Sequence, residues 1–447
     1  MSALNVGIMG CGSIAGVMAQ TIRRTHGFRM YAAASRDLDK AVGFAKRNHV
    51  HRAYGSYEDL VHDRKVDLIY IATPHSEHYA NARLCLENGK ACLVEKAFTI
   101  NEPQAAELVT LAGSRNVLLA EAIWIRYMPF RKTIREVLAS GVIGEVVMLS
   151  ANLGYPLQGV PRLTDLELAG GSLLDLGVYP INLASMLFGN DLLRTEVSVT
   201  YTPQHLDEQE NITLIYRDGR IAALTATMLG ETDRRCLISG TKGYVVIDNI
   251  NNFEGMTVYD GSHRRIATYK RPHQKTGYEY QLRSCRAALQ RGDIECPEMP
   301  HGETLYMMHV MDGIRAQMGV VYPAELRQGG PAPTASTTWQ DSIKPPAPDA
   351  RPWTGSGPTG QETPAAEHNE IEMNGEADVP GEESVSEPVS ENPDREEFPV
   401  PQEAVIPSAE GLLPQEPAAC LPQSPPEEQA HSGLSSEPNP GTGAEYG

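Results

Sequence analysis

Along the first 121 residues, short unbroken apolar runs alternate with stretches whose apolar positions recur every three or four residues. The runs fall at 6–9, 30–34, 68–72, 91–94 and 117–120. None alternates polar with apolar, as expected of parallel strands covered on both faces. Helical stretches lie between and after them, at 16–24, 38–48, 56–62, 77–88 and 102–114, and Asn88-Gly89-Lys90 closes the fourth through a C-terminal glycine. This alternation predicts a doubly wound α/β sheet over residues 1–121. After Glu121 the pattern changes. Helical periodicity at 130–140 and 172–188 gives way to alternating strands at 196–201, 211–216, 221–228, 235–239 and 244–248. Tyr216-Arg217-Asp218-Gly219-Arg220 supplies a hairpin turn between two of them, and helices over 279–290 and 303–318 follow. Residues 122–328 thus predict a second, α+β domain on a largely antiparallel open sheet.

Charge divides the chain differently. The net charge of −19 belongs to residues 329–447, with 3 basic and 22 acidic residues against 35 of each in residues 1–328. The same tail holds 21 of the 32 prolines and few aromatic residues. Such a composition buries too little apolar surface to offset ordering entropy, so the tail is expected to be disordered. A neutral body carries no footprint for nucleic acid, and an acidic tail repels it along with anionic membranes. No apolar run is expected to span a bilayer. The seven cysteines are scattered without metal-ligand spacing and suit reduced thiols in the cytoplasm, so no metal is expected.

The first strand runs into Gly10-Cys11-Gly12-Ser13-Ile14-Ala15, a Gly-x-Gly-x-x-Ala turn that opens a helix. Gly10 permits the tight turn, Gly12 admits a pyrophosphate, and Ala15 lets helix and strand pack closely. The first helical N–H groups, about Ser13 and Ile14, then face the phosphates. The second strand ends Ala34-Ser35-Arg36, without the acidic residue that would hold a ribose 2′-hydroxyl. Ser35 and Arg36 suit a 2′-phosphate, so NADP is favoured with NAD possible; Arg36 equally suits adenine stacking or solvent. Asp37 is read as the cap of the helix beginning at Leu38. The third run leaves through Ala72-Thr73-Pro74-His75-Ser76-Glu77-His78, where Thr73 and Pro74 would line the nicotinamide ribose. Ser76 could instead cap an ordinary helix, with His78 on the surface.

Two segments carry the candidate chemistry. Glu95-Lys96 ends a buried strand, and Asp175 and Tyr179 sit i, i+4 on a helix opened by Gly170-Gly171-Ser172. A tyrosine serves as base near neutral pH only if an adjacent cation lowers its pKa, and Lys96 is the expected source of that charge. Each residue also has an ordinary structural reading: an ion pair with Glu95, a helix cap, a satisfied core hydroxyl.

Taken in order, these motifs resemble the glucose–fructose oxidoreductase, inositol dehydrogenase and MocA-type oxidoreductases over about residues 3–328. The likeness rests on Gly-x-Gly-x-x-Ala, Ala72-Thr73-Pro74 with His78, Glu95-Lys96, Glu121-Ala122-Ile123-Trp124-Ile125-Arg126 and Ile143-Gly144-Glu145-Val146. Gly170-Gly171-Ser172-Leu173-Leu174-Asp175-Leu176-Gly177-Val178-Tyr179 and Ile238-Ser239-Gly240-Thr241-Lys242-Gly243 complete it. The resemblance implies a cleft site between two domains and a homodimer or homotetramer joined through the C-terminal sheet. It also implies that Lys96 contacts nicotinamide ribose and substrate, that Asp175 orients a substrate hydroxyl, and that His78, Glu95 and Arg126 join the cofactor contacts. Ala97 stands where the family carries proline, and Tyr179 where inositol dehydrogenase-like members carry histidine. The tyrosine resembles the branch in which it is the acid/base, with NADP and an aldose or cyclic diol. Arg126, Tyr155 and Arg162 are further candidate substrate contacts, and His301 lies at a helix entry. The leading expectation is an NAD(P)-dependent oxidoreductase acting on a small sugar-like hydroxyl compound. The alternatives are an enzyme that recycles a tightly held cofactor and a non-catalytic dinucleotide sensor.

Overall fold

The computed structural model describes residues 3–327, and the expectation for 329–447 lies outside them. In the N-terminal half the chain runs β1 (Leu4–Met9), α1 (Ser13–Arg24), β2 (Phe28–Ala34), α2 (Leu38–Asn48), β3 (Arg52–Tyr54) and α3 (Tyr57–His62). It continues through β4 (Leu68–Ile71), α4 (His75–Glu87), β5 (Ala91–Val94), α5 (Glu102–Arg115) and β6 (Leu119–Glu121). All neighbouring strands pair in parallel, in the order β3-β2-β1-β4-β5-β6. The order reverses between β1 and β4, so their carboxyl ends flank the crevice in which open α/β sheets bind ligands. Local sequence sets the boundaries. Asp37 caps α2 as expected, accepting from the Asp39 and Lys40 amides at 2.9 and 3.2 Å. Ser56 and Asn101 do the same for α3 and α5. Helix α4 begins earlier than the apolar pattern predicts: Pro74, at φ −59, precedes its first residue, and Ser76 lies inside the helix rather than capping it.

The second half contains α6 (Phe130–Ala139), β7 (Val146–Gly154), a π-turn (Leu173–Gly177) continuing into α7 (Val178–Phe188), and β8 (Leu192–Tyr201). Then follow β9 (Asp207–Tyr216), β10 (Ile221–Thr227), β11 (Cys236–Gly240), β12 (Gly243–Asp248), β13 (Gly255–Asp260) and β14 (Arg265–Lys270). Three helices close the described chain: α8 (Glu279–Arg291), α9 (His301–Met318) and α10 (Pro323–Arg327). The sheet order is β14-β13-β12-β11-β7-β10-β9-β8, antiparallel except where β10 meets β7. The expected hairpin joins β9 to β10, with Gly219 at φ 89. Buried Leu149, Ala151, Leu153, Leu224 and Ala226 face α7, whereas Met148, Ile221 and Leu237 are exposed. The pattern at Leu166–Phe188 corrects one expectation. This segment is long and apolar enough to cross a membrane, but 89% of its apolar window is buried inside the fold.

The C-terminal helices return to the first sheet. The Glu102 amide donates to Asp312 at 2.7 Å, His309 pairs with Glu102 at 2.8 Å, and the Leu119 amide donates to the Ile294 carbonyl at 2.9 Å. These ties fix the two sheets against each other and so fix the ends of β4, β5 and β6 relative to the π-turn.

The tightest backbone approach is at the β1–α1 turn. Gly10 has φ +97, and a Cβ there would lie 2.6 Å from the Ala72 carbonyl oxygen. Gly10→Ala is therefore expected to lose about 1–3 kcal/mol in urea unfolding, from positive-φ strain alone, and to weaken dinucleotide binding further by pushing β1 from β4.

Candidate active site

The β1–α1 turn forms a cradle for a dinucleotide. Helix α1 has no side-chain cap at Gly12, and a Cβ built on Gly12 meets nothing within 4 Å. The amides of Ser13 and Ile14 thus open a helix N-terminus into free space, which fits an anionic pyrophosphate. Within this turn, burial, working against Lys40 and Arg47, pushes the Cys11 thiol up to about 11. At the end of β2, Ser35 is buried with its hydroxyl accepting from the Asp37 amide at 3.3 Å. Arg36 is exposed, 3.8 Å from the Glu77 carboxylate. At the end of β4, Thr73 accepts from Asn81 at 3.1 Å, and Pro74 leads into α4. His78 is fully buried and contacts the carbonyls of Ala97 and Thr73, each at 2.8 Å.

Lys96 leaves the end of β5 and reaches the π-turn. Its Nζ donates to the Asp175 carbonyl at 2.6 Å and to Asp175 Oδ1 at 2.8 Å. Arg162 donates to the same Oδ1 at 3.1 Å, and His75 Nε2 stands 3.9 Å from it. Burial alone would raise Asp175, but Lys96, Arg162 and His75 together hold its carboxyl well below the usual range. Tyr179 lies one turn on, with Lys96 Nζ 5.1 Å from its ring centroid and Trp124 Nε1 donating to its hydroxyl at 3.2 Å. Trp124 stacks on Tyr278 with ring centroids 4.1 Å apart and planes 3° from parallel.

The expectation that Lys96 depresses Tyr179 is corrected by this geometry. Asp175 lies against the ammonium and neutralises it. Burial first, then Tyr278, Glu95 and Asp175, push the Tyr179 phenol well above its ordinary value, and the Trp124 bond opposes them. The resting tyrosine is a protonated acid. Glu95 is likewise not the partner of the Lys96 ammonium: Tyr70 donates to its carboxylate, and it accepts from the Lys96 amide at 3.2 Å. Burial pushes Glu95 up to about 6.

Of the other expected contacts, Arg162 joins the cluster directly. Tyr155 lies in an adjoining loop network, its hydroxyl accepting from Arg234 and Asn251 at 3.2 Å each. Arg126 is not brought to the cluster; it is buried and bonded to Asn182, Glu303 and Ser185 at 2.6, 3.0 and 3.0 Å. His301 is also diverted, its Nε2 lying 2.9 Å from the Leu119 carbonyl. The sequence reading missed His75, Trp124 and Tyr278. His75 had a signal, since it follows Pro74 at the carboxyl edge of the sheet. Tyr278 had none, because its place depends on a loop folding back from β14.

With this geometry in view, comparison with known proteins places the chain. Residues 4–122 match the family described as "Oxidoreductase family, NAD-binding Rossmann fold", and residues 131–246 match the "GFO/IDH/MocA C-terminal domain". The protein is an NAD(P)-dependent oxidoreductase. It belongs to the GFO/IDH/MocA family, as its motifs led us to expect. It is 33% identical over 334 residues to trans-1,2-dihydrobenzene-1,2-diol dehydrogenase of Macaca fuscata fuscata, covering 72% of this chain and 99% of the relative. The Mus musculus enzyme of that name is 33% identical over 338 residues, covering 73% and 100%. A 3-ketoreductase from Actinomadura kijaniata, solved with NADP and TDP-benzene, shares the fold at TM-score 0.64 and 24% identity, covering 70% of this chain and 97% of that one. An aldose-aldose oxidoreductase from Caulobacter crescentus, solved with glycerol, does so at TM-score 0.63 and 20% identity, covering 70% and 96%.

The buried histidines set a pH dependence. Burial holds His75 at about 3 and His78 at about 4, against 6.5 for an ordinary histidine. At these two positions the unfolded chain binds more protons than the folded one once pH falls below about 6.5, so their contribution to stability declines from there towards about pH 4, against the opposite effect of Glu95, Glu121 and Asp207, which burial raises. In denaturant unfolding across that window, the stability of a His78→Asn variant relative to wild type is expected to improve as pH falls from about 6.5 towards about 4.

Proposed function

We propose that this protein transfers hydride between NADP(H) and a hydroxyl-bearing carbon of a cyclic diol or sugar-like small molecule, with Tyr179 exchanging the proton. The observation that carries the reading is the buried Tyr179, hydrogen-bonded to Trp124 and lying 5.1 Å from Lys96 Nζ, beside the Lys96–Asp175 pair at the carboxyl edge of the parallel sheet. The diol class is supported by relatives named trans-1,2-dihydrobenzene-1,2-diol dehydrogenase, which the chain matches over nearly their whole length. NADP is favoured by Ser35 and Arg36 and by the absence of an acidic residue at the end of β2.

When bound, the nicotinamide supplies or accepts the hydride. The chain does the rest. Residues 1–121 hold the dinucleotide, with Gly10, Gly12, Ser13 and Ile14 at the pyrophosphate and Thr73 and Pro74 beside the nicotinamide ribose. Residues 122–328 close the substrate side. In the reductive direction Tyr179 donates its proton to the forming alkoxide, and the Trp124 N–H supports the phenolate that remains. In the oxidative direction Tyr179 must first lose its proton, so alkaline pH favours oxidation. Lys96 and Arg162 hold Asp175 ionised, ready to accept a hydrogen bond from a second substrate hydroxyl. A vicinal diol offers both groups. The exposed sheet face around Met148, Ile221 and Leu237 suits a homodimer contact, and the free thiols of the described cysteines suit the cytoplasm.

Tyr179→Phe is expected to lower kcat on a trans-dihydrodiol about 10²–10⁴-fold while leaving NADP affinity unchanged by calorimetric titration. Unchanged turnover would remove the tyrosine from the chemistry. Arg36→Ala should weaken NADP binding by about tenfold or more, the scale of a charge-assisted bond, and leave NAD binding nearly as it was. Equal losses for both cofactors would overturn the preference for NADP.

A further inference from the structure

The thiols of Cys285 and Cys296 touch, and no step above uses them. Their sulfurs lie 3.8 Å apart and both side chains are fully buried. Cys285 sits in the body of α8. Cys296 belongs to the segment between α8 and α9, which doubles back as the Asp293 amide donates to the Ala288 carbonyl at 3.0 Å. The Leu119 amide holds this segment at the Ile294 carbonyl, the His301 amide donates to Glu295 at 2.7 Å, and the Ser284 hydroxyl donates to Glu298. Glu295 and Pro297, which flank Cys296, line a surface cavity of about 400 Å³, and Pro297 is exposed.

We propose that Cys285 and Cys296 are a reversible thiol–disulfide site that takes a small disulfide as its oxidant, with Cys296 attacking and Cys285 resolving. Location selects this pair. Cys85, Cys92 and Cys236 are held in α4, β5 and β11, and both strands are paired on each side, so reaching those thiols means breaking a helix or a sheet. Cys296 lies outside the helices and strands and makes a single bridge, with Met299. A local opening of the 293–299 turn therefore brings it to solvent while α8 and both sheets stay intact. Cys285 needs no exposure, because it meets the Cys296 sulfur from inside. The contact also separates the roles. It lowers the Cys296 thiol below its ordinary value and raises the Cys285 thiol, while burial raises both. The lower thiol is the richer in thiolate, the form that attacks a disulfide.

Cys296 loses its proton and attacks one sulfur of the small disulfide, forming a mixed disulfide and expelling one thiolate. Cys285 then loses its proton and attacks Cys296 Sγ, so that the Cys285–Cys296 bond forms and the second thiolate leaves. Two electrons pass from the protein to the reagent. Its two halves depart as thiols, carrying the two protons that the protein gave up. Reduction by an excess of small thiol runs the same steps backwards.

The probe is glutathione at stepped ratios of its disulfide and thiol forms, applied to the full-length protein carrying Cys420→Ser, which removes the cysteine outside the described residues. Alkylation stops the exchange. Trypsin cuts at Arg286 and Arg291, so a Cys285–Cys296 link is read by mass spectrometry as two joined peptides. The link should form in native buffer about tenfold faster than any modification of Cys85, Cys92 or Cys236, and reverse in reduced glutathione. In Cys285→Ser, Cys296 should stop at the glutathione adduct; in Cys296→Ser, Cys285 should stay free. No link at any ratio, a link only in denaturant that melts the fold, or equally fast modification of Cys92 would each overturn the site. A Cys285 adduct in Cys296→Ser would overturn the assignment of attacking and resolving thiols. The test needs neither substrate nor NADP, so it stands apart from the hydride chemistry.

Discussion

The Lys96–Asp175 ion pair is the contact through which the two halves of this protein become one site. It joins the end of a parallel strand to a turn lying on an antiparallel sheet, in a place where both groups are almost out of water. A buried pair of this kind contributes little net stability, because desolvation consumes most of the attraction. Its value lies in placement. Breaking it would strand a charge on either side, so the two halves settle where the pair can form. Arg162 reinforces the same carboxylate oxygen and closes the cluster from a third segment.

That arrangement also decides what Tyr179 is. An ammonium already balanced by a carboxylate has little charge left to offer a phenol, so the tyrosine keeps its proton at rest. Chemistry in this site then depends on what enters it. In the reaction proposed above, a substrate hydroxyl that draws on Asp175 would weaken the hold of that carboxylate on Lys96 and return some of the ammonium's field to Tyr179, linking substrate binding and proton release through one shared residue.

Much of the parallel half was legible in the apolar pattern, because strands buried on both faces leave unbroken runs. The predicted limits of α2 and β5 match the observed ones. β3 left no such trace: it has three residues, begins with exposed Arg52 and sits at the sheet edge. The second sheet was harder. β7 begins with exposed Val147 and Met148 beside buried Val146, which blurs the alternation, and β14 is an edge strand whose residues are mostly exposed. At the site, motif order grouped Lys96, Asp175 and Tyr179. It misplaced Arg126, whose partners Asn182, Ser185 and Glu303 come from two later helices. It also missed the charge balance, since the sequence does not say that the carboxylate nearest the Lys96 ammonium is Asp175 rather than Glu95.

The stacked Trp124–Tyr278 pair has an optical consequence. Trp124 is the single tryptophan among the described residues; the other two, Trp339 and Trp353, belong to the acidic tail. Its indole N–H is bonded to the Tyr179 oxygen. Loss of the Tyr179 proton places a full negative charge at the end of that bond, and such a charge perturbs an excited indole. With the tail tryptophans replaced, the emission of this protein becomes a direct readout of the ionisation of Tyr179.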